Sequence, residues 1–272
     1  MILDELAELT RQRIALVKEG LSPEKAHAIA AGIAGLEKEN GGFTFPFEQA
    51  LRKQGLSIIS EVKKASPSKG VIAEDFPYIE IAESYEAAGA DCISCLTEPD
   101  RFKGSDRYLQ EITDVVNIPV LRKDFTIDTY MIDQAKILGA SAVLLIAAIL
   151  TDEELKAFFG YADQLGLSCI FEAHDAEEVQ RCLTAGARIV GVNNRNLKDF
   201  IVDMENSIRL RPLVPKDVIY VSESGISTPE DVQRLYNNGT DAVLVGEMLM
   251  RSNDKAGLIR AMKKSGKQAE PD

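Results

Sequence analysis

The chain has no tryptophan, two histidines and four cysteines among 272 residues, and each scarcity removes a class of function. His27 and His174 are too few to build a histidine-rich metal centre, so no metal site is expected. Cys92, Cys95, Cys169 and Cys182 sit in a long chain without secretory context, where reduced thiols are the default. Cys92 and Cys95 form C-x-x-C, but inside a strand-like run that points them to opposite faces, whereas a thioredoxin-like motif opens a helix. Basic residues are also in deficit, 31 against 43 acidic, for a net charge of −12 and a pI near 4.8. That balance argues against a nucleic-acid or anionic-membrane partner, both of which need a basic face; an anionic ligand must be held by a local cluster. The longest apolar run, Ala142 to Leu150, is far short of the roughly 20 residues that span a bilayer. The opening Met-Ile-Leu-Asp-Glu-Leu lacks the basic start of a signal peptide. A soluble, cytoplasmic protein is expected.

What is present is alternation. Short runs rich in Val, Ile and Leu occur at Ser57–Val62, Asp91–Leu96, Ile118–Leu121, Ala142–Ile146, Ser168–Phe171, Ile189–Val192, Val218–Val221 and Ala242–Val245. Amphipathic stretches lie between them, starting at signals such as Asp128, Thr151, Asp175 and Ser227-Thr228-Pro229. Several end in a Gly-Ala or Gly-Thr turn. Strands joined by helices make a parallel sheet, and eight such units favour a closed α/β barrel, the (β/α)8 TIM barrel. The alternative, an open doubly wound sheet, lacks its G-x-G-x-x-G turn here. Ahead of the repeat, Leu3 to Lys18 and Ser22 to Glu39 read as helices, the second with Ser22 as cap and Pro23 at its first position. Residues 1–46 are thus expected to form a helical extension packed on the barrel or acting as a lid, and residues 47–272 the catalytic barrel.

In a barrel of this kind the active site lies at the carboxyl ends of the strands. The first tip, within Ser57 to Ile72, carries Glu61 and Lys63, which at i and i+2 share one face; alone they also fit a surface ion pair. Later tips carry Thr97-Glu98 with Phe102; Arg122, Lys123, Asp124 and Phe125; Glu172 and His174; Asn193, Asn194 and Arg195; Ser222, Glu223, Ser224 and Gly225; and Gly246-Glu247. Lysines and carboxylates converging around aromatic rings suggest acid–base chemistry on a small anionic, partly aromatic molecule. Ser224-Gly225-Ile226 and Gly246-Glu247, after the seventh and eighth strands, suit phosphate through bare backbone N–H groups, and Arg195 offers a forked donor.

The motifs ISEVKKASPSKG, LRKDF followed by GASAVLLI, VGVNNRNL, VSESGI and AVLVGEMLMRS together resemble the indole-3-glycerol-phosphate synthase family, from about Phe47 onward. The resemblance implies a barrel that converts 1-(o-carboxyphenylamino)-1-deoxyribulose 5-phosphate to indole-3-glycerol phosphate, CO2 and water in tryptophan biosynthesis, with no metal or organic cofactor. It assigns catalysis to Glu61, Lys63, Lys123, Glu172, Asn193, Glu223 and Ser224. Lys123 would be the general acid, its proton loosened by neighbouring cations, Glu172 the group moving protons during dehydration, and Lys63 a second acid. Substrate binding falls to Ser66, Pro67, Phe102, Phe125, Arg195, Gly225, Leu244, Gly246 and Glu247, the last through its backbone N–H alone because its carboxylate would repel phosphate. His174 is expected to cap the next helix rather than to touch substrate. Two other readings compete. Phosphoribosylanthranilate isomerase, a related barrel, typically uses a Cys and an Asp; a phosphate-binding scaffold would not need Lys123 and Glu172. The expected assembly is a monomer or weak homodimer acting on a small phosphorylated molecule.

Overall fold

The computed structural model describes residues 2–196 and 200–266. Eight parallel strands close into a barrel: β1 (Ser57–Val62), β2 (Cys92–Leu96), β3 (Val120–Lys123), β4 (Ala142–Ile146), β5 (Ser168–Ala173), β6 (Ile189–Asn193), β7 (Ile219–Glu223) and β8 (Ala242–Val245). Each strand pairs with its sequence neighbours, and β8 returns to β1 with Ser57 opposite Ala242. β3 begins two residues later than the sequence pattern suggests. It follows Pro119, which has no N–H to give a ladder, although the Pro119 carbonyl still accepts from Ile93 at 3.0 Å. The C-x-x-C pair lies across the wall as its period requires, with Cys92 in the lumen and Cys95 in the outer layer, and all four cysteines are free and buried.

Two-residue periodicity builds two cores. Ile59, Leu121, Leu144, Ile170, Val221 and Leu244 fill the lumen, while Ile58, Ile93, Val143, Phe171, Val190 and Val243 face the helices. A short helix, α3 (Pro46–Leu51), closes the amino-terminal end of the lumen with Phe47, Ala50 and Leu51, and the Ser57 hydroxyl donates to the Ala50 carbonyl at 3.1 Å. Around that end two charge clusters are internally matched. Asp91 accepts from the Ile58 N–H at 2.8 Å and from Lys263 at 2.6 Å; Arg188 bridges Glu48 at 2.9 Å and Asp163 at 2.7 Å.

The leading residues form α1 (Ile2–Gly20) and α2 (Pro23–Glu39), the latter capped by Ser22 and opened by Pro23. α2 buries Ala26, Ala30 and Ala34 and ties to the barrel's α6 (Thr129–Ile137) through Lys136 and Glu37 at 2.7 Å. α1 runs to the carboxyl end, where the Arg13 guanidinium donates to both carboxylate oxygens of the buried Asp124, at 2.8 and 2.9 Å. Capping boxes at Thr151 and Thr228 start the helices where the sequence places them. Among the described residues, no helix is long and apolar enough to cross a membrane.

Candidate active site

Four luminal rows end in an ionisable residue two positions beyond their last apolar one: Ile59 leads to Glu61 and then Lys63, Leu121 to Lys123, Ile170 to Glu172, and Val221 to Glu223. The period that fills the barrel with aliphatics therefore delivers five ionisable groups to one mouth. They line a cavity of about 770 Å³ together with Asn193 and Ser224. The same cavity is lined by Ser66, Pro67, Phe102, Phe125, Arg195, Gly225, Leu244, Gly246 and Glu247, so all the site positions expected from the sequence gather there. Leu197, which ends the VGVNNRNL motif, lies outside the described residues.

The motif RKDF shows how one loop divides its labour. Arg122 points outward and is buried, donating to the Met131 carbonyl at 2.7 Å and to Asp106 at 2.9 Å. Asp124 accepts from Arg13, from the Thr97 hydroxyl at 2.6 Å and from the Phe125 N–H at 2.9 Å. Burial opposes its charge, but Arg13 and Arg122 hold its carboxyl below the ordinary value. With those two pinned, Lys123 faces inward and Phe125 forms a wall, its ring 6.4 Å from that of Phe102. The Phe102 loop is itself held by Glu98, whose carboxylate accepts the N–H groups of Asp100, Arg101 and Phe102 at 2.8–2.9 Å; Glu98 is used up in scaffolding. Asn194 does the same for the seventh tip, donating to Ser222 at 3.1 Å and to the Ser224 carbonyl at 3.0 Å.

At the centre, the Lys123 ammonium donates to Glu172 at 2.9 Å and to Glu223 at 3.0 Å. The expectation that cations flank Lys123 is therefore corrected: carboxylates do. Burial works against its charge, yet Glu172, Glu223 and Glu61 hold its pKa above the ordinary value, so it is fully charged at neutral pH. The two carboxylates are not equivalent. Burial and the neighbouring Glu172 push Glu223 up to about 7 against the pull of Lys123; among the described residues its Oε1 is buried without a hydrogen-bond partner. Burial likewise disfavours charge on Glu172, but Lys123, then His174, and a 3.2 Å hydrogen bond from Asn193 hold it low. Lys63 forms a close ion pair with Glu61 across the mouth.

Glycine makes the room. A Cβ at Gly191 on β6 would collide with the Glu223 carboxylate, and one at Gly246 with that of Glu61 and, at 3.0 Å, with the Lys63 ammonium. At Gly225, φ is +87° and a Cβ would press on Val202 at 2.6 Å. Ser224 beside it carries a left-handed φ of 68° that a non-glycine residue adopts only under constraint. Glu247 turns its carboxylate to Arg251 at 3.1 Å and Lys69 at 3.6 Å. Arg195 is anchored by its guanidinium to the Phe200 carbonyl at 3.3 Å.

Some features escaped the sequence reading. Leu3 and Leu6 of α1 roof the cavity, and Lys69 and Arg251 add cations to its rim. An i,i+4 acid–base pair Glu247–Arg251 was the available signal for the last; nothing local marks Leu3 and Leu6. His174 does not cap the following helix, α8 (Ala176–Ala185). Asp175 does, accepting from the Glu178 N–H at 2.9 Å, and the His174 ring turns inward.

A charged amine between two unequal carboxylates, under an aromatic wall and at the strand tips of a closed barrel, defines a (β/α)8 enzyme working by acid–base chemistry. Similarity narrows this. A profile described as indole-3-glycerol phosphate synthase matches residues 9–262. The protein of that name from Ruminiclostridium cellulolyticum is 51% identical over 265 residues, covering 97% of this chain and 100% of its own. That from Lacticaseibacillus paracasei is 51% identical over 263 residues, covering 97% and 99%. The chain belongs to the indole-3-glycerol phosphate synthase family, the decarboxylating, ring-closing lyases of tryptophan biosynthesis. Two solved structures show the same fold: 3-hexulose-6-phosphate synthase from Salmonella typhimurium superposes with a TM-score of 0.64 at 14% identity, covering 77% of this chain and 98% of that one. Thiamine phosphate pyrophosphorylase from Pyrococcus furiosus gives 0.60 at 16%, covering 80% and 96%. Among the described residues, no group of three or more His, Cys, Asp or Glu is arranged to hold a metal.

Proposed function

We propose that the mouth residues divide the family's reaction, from 1-(o-carboxyphenylamino)-1-deoxyribulose 5-phosphate to indole-3-glycerol phosphate, along the lines of their electrostatics. The anthranilate ring lies against Pro67, Phe102 and Phe125, with Ser66 and Leu244 completing its pocket. Its carboxylate-bearing carbon attacks the ketone, and Lys123 protonates the developing alkoxide, a base stronger than an amine. CO2 leaves with its bonding electrons returned to the ring. In the dehydration that follows, Lys63 gives the departing hydroxyl its proton and Glu172 removes the proton whose loss makes the new ring aromatic. Glu61 steadies Lys63. Asn193, Glu223 and Ser224 hold the sugar hydroxyls, and the partnerless Glu223 Oε1 suits that task.

The phosphate sits at the seventh and eighth tips on the backbone of Gly225, Gly246 and Glu247, with Arg195 as forked donor. The Glu247 carboxylate, drawn off by Arg251 and Lys69, leaves that backbone free of local repulsion. The observation that carries the reading is the Lys123 ammonium shared by Glu172 and Glu223 above the aromatic wall. Incubating the protein with the carboxyphenylamino-deoxyribulose phosphate should produce indole fluorescence together with CO2; substrate consumption without fluorescence would refute the assignment. The excess of acidic residues supports a protein with no nucleic-acid or anionic-membrane partner; a cytoplasmic monomer or weak homodimer is part of the same proposal. The lumen plug at Phe47 supports a division between an extension, 1–46, and a barrel, 47–272.

A further inference from the structure

The Glu172–Lys123–Glu223 cluster poses a problem its own three members do not solve: what makes the two acids unequal. Both are almost wholly buried, and both accept from the same ammonium, at 2.9 and 3.0 Å. The difference lies behind Glu172. There the His174 ring stands on edge between two carboxylates, with Nδ1 3.0 Å from Glu178 Oε2 and Nε2 3.4 Å from Glu172 Oε1. Glu178 holds the residue twice, because its Oε2 also accepts the His174 backbone N–H at 2.7 Å. Asn206 fixes the other side by donating to the His174 carbonyl at 2.9 Å.

The tautomer follows from the partners. Facing a carboxylate, Nδ1 must carry its proton. Among the described residues, Nε2 is buried with no hydrogen-bond partner. Deprotonated, it would aim a lone pair at a Glu172 oxygen that accepts only from Asn193, at 3.2 Å; protonated, it needs only a few tenths of an ångström of closure to become a charge-assisted hydrogen bond. We propose that His174, locked by Glu178, is a positioning residue that stands as an imidazolium behind Glu172 and so assigns the anionic role to Glu172 and the proton-holding role to Glu223. Facing groups agree. Burial disfavours charge on the ring, but Glu178, Glu172 and Glu223 favour it and raise its pKa. Lys123, the one cation in the cluster, is itself balanced by both acids. No bond other than a proton's is involved: the imidazolium gives Nε2–H to Glu172 as a hydrogen bond and Nδ1–H to Glu178.

The inference rests on Glu172 acting as the base, so its test separates the two. The chain has only His27 and His174, so imidazole nitrogen NMR of the wild-type protein, assigned with His27→Asn, reads the ring without any assay. The His174 ring should be doubly protonated at neutral pH, and Glu172→Gln should lower its pKa by about one unit or more. A His174 ring that is neutral at pH 7, or indifferent to Glu172→Gln, overturns the proposal whatever the activity shows. In kinetics, His174→Gln should move the acidic limb of kcat/KM upward by about one unit and lower kcat with little change in KM, and Glu178→Gln should do the same more weakly. Loss of melting temperature with an unmoved pH profile in both variants would make the histidine merely structural.

Discussion

The two ends of the barrel are built from the same residue types and treated in opposite ways. At the amino-terminal end the buried ionisable groups have partners of their own: Asp91 a strand N–H and Lys263, Arg188 both Glu48 and Asp163, above a plug of Phe47, Ala50 and Leu51. At the carboxyl end one ammonium serves two acids, a Glu223 oxygen has no partner, and Ser224 is held in a left-handed conformation. The contrast is between interactions closed among themselves and interactions waiting for a ligand; the first kind stabilises, the second reacts.

Mutations at the two ends should therefore fail differently. The largest effect on rate should come from Lys123→Ala: turnover down by about 1,000-fold or more, with circular dichroism and much of the substrate affinity retained. A variant turning over near the wild-type rate would remove Lys123 from the mechanism and erase the contrast. At the other end Phe47→Ala should cost about 3–5 kcal/mol of stability by opening a cavity in the plug, measured by urea unfolding, while the KM of the folded fraction stays put. A large rise in KM instead would show that the plug reaches the mouth. Arg195→Ala should raise KM by roughly tenfold with kcat nearly unchanged, since phosphate is held equally in ground and transition states; a fall in kcat alone would refute the phosphate assignment.

The subtlest difference is in pH. Glu223, pushed up to about 7 by burial, binds a proton in the folded state that the unfolded chain releases at ordinary carboxyl values. Its contribution is present below the unfolded value and is lost as pH rises toward 7. Glu223→Gln should flatten this decline, seen as melting temperatures that converge on or overtake the wild type between pH 5 and 8; parallel curves would contradict it.

Most of the architecture was legible because period and punctuation agree: two-residue alternation in the strands, Thr151 and Thr228 boxes at helix starts, glycine turns before several of the strands. The mouth was legible for the same reason, since alternation that buries Ile170 must also aim Glu172 inward. Three things were not. The surroundings of Lys123 depend on which strand tips are neighbours in space, and a reading along the chain gave it cations where it has Glu172 and Glu223. Gly191 resembles any strand glycine until the Glu223 side chain is seen filling the volume its Cβ would take. His174 sits next to a genuine cap, Asp175, and only the ring's direction separates their roles.

The grip of Arg13 on Asp124 makes the leading helix part of the chemistry's foundation. Asp124 is the immediate chain neighbour of Lys123, so a truncated enzyme beginning after α1 would leave that buried anion with Arg122, at 3.7 Å, as its remaining cation. Evolution could shorten or redecorate the solvent-facing side of that segment freely, but detaching it would retune the acid itself.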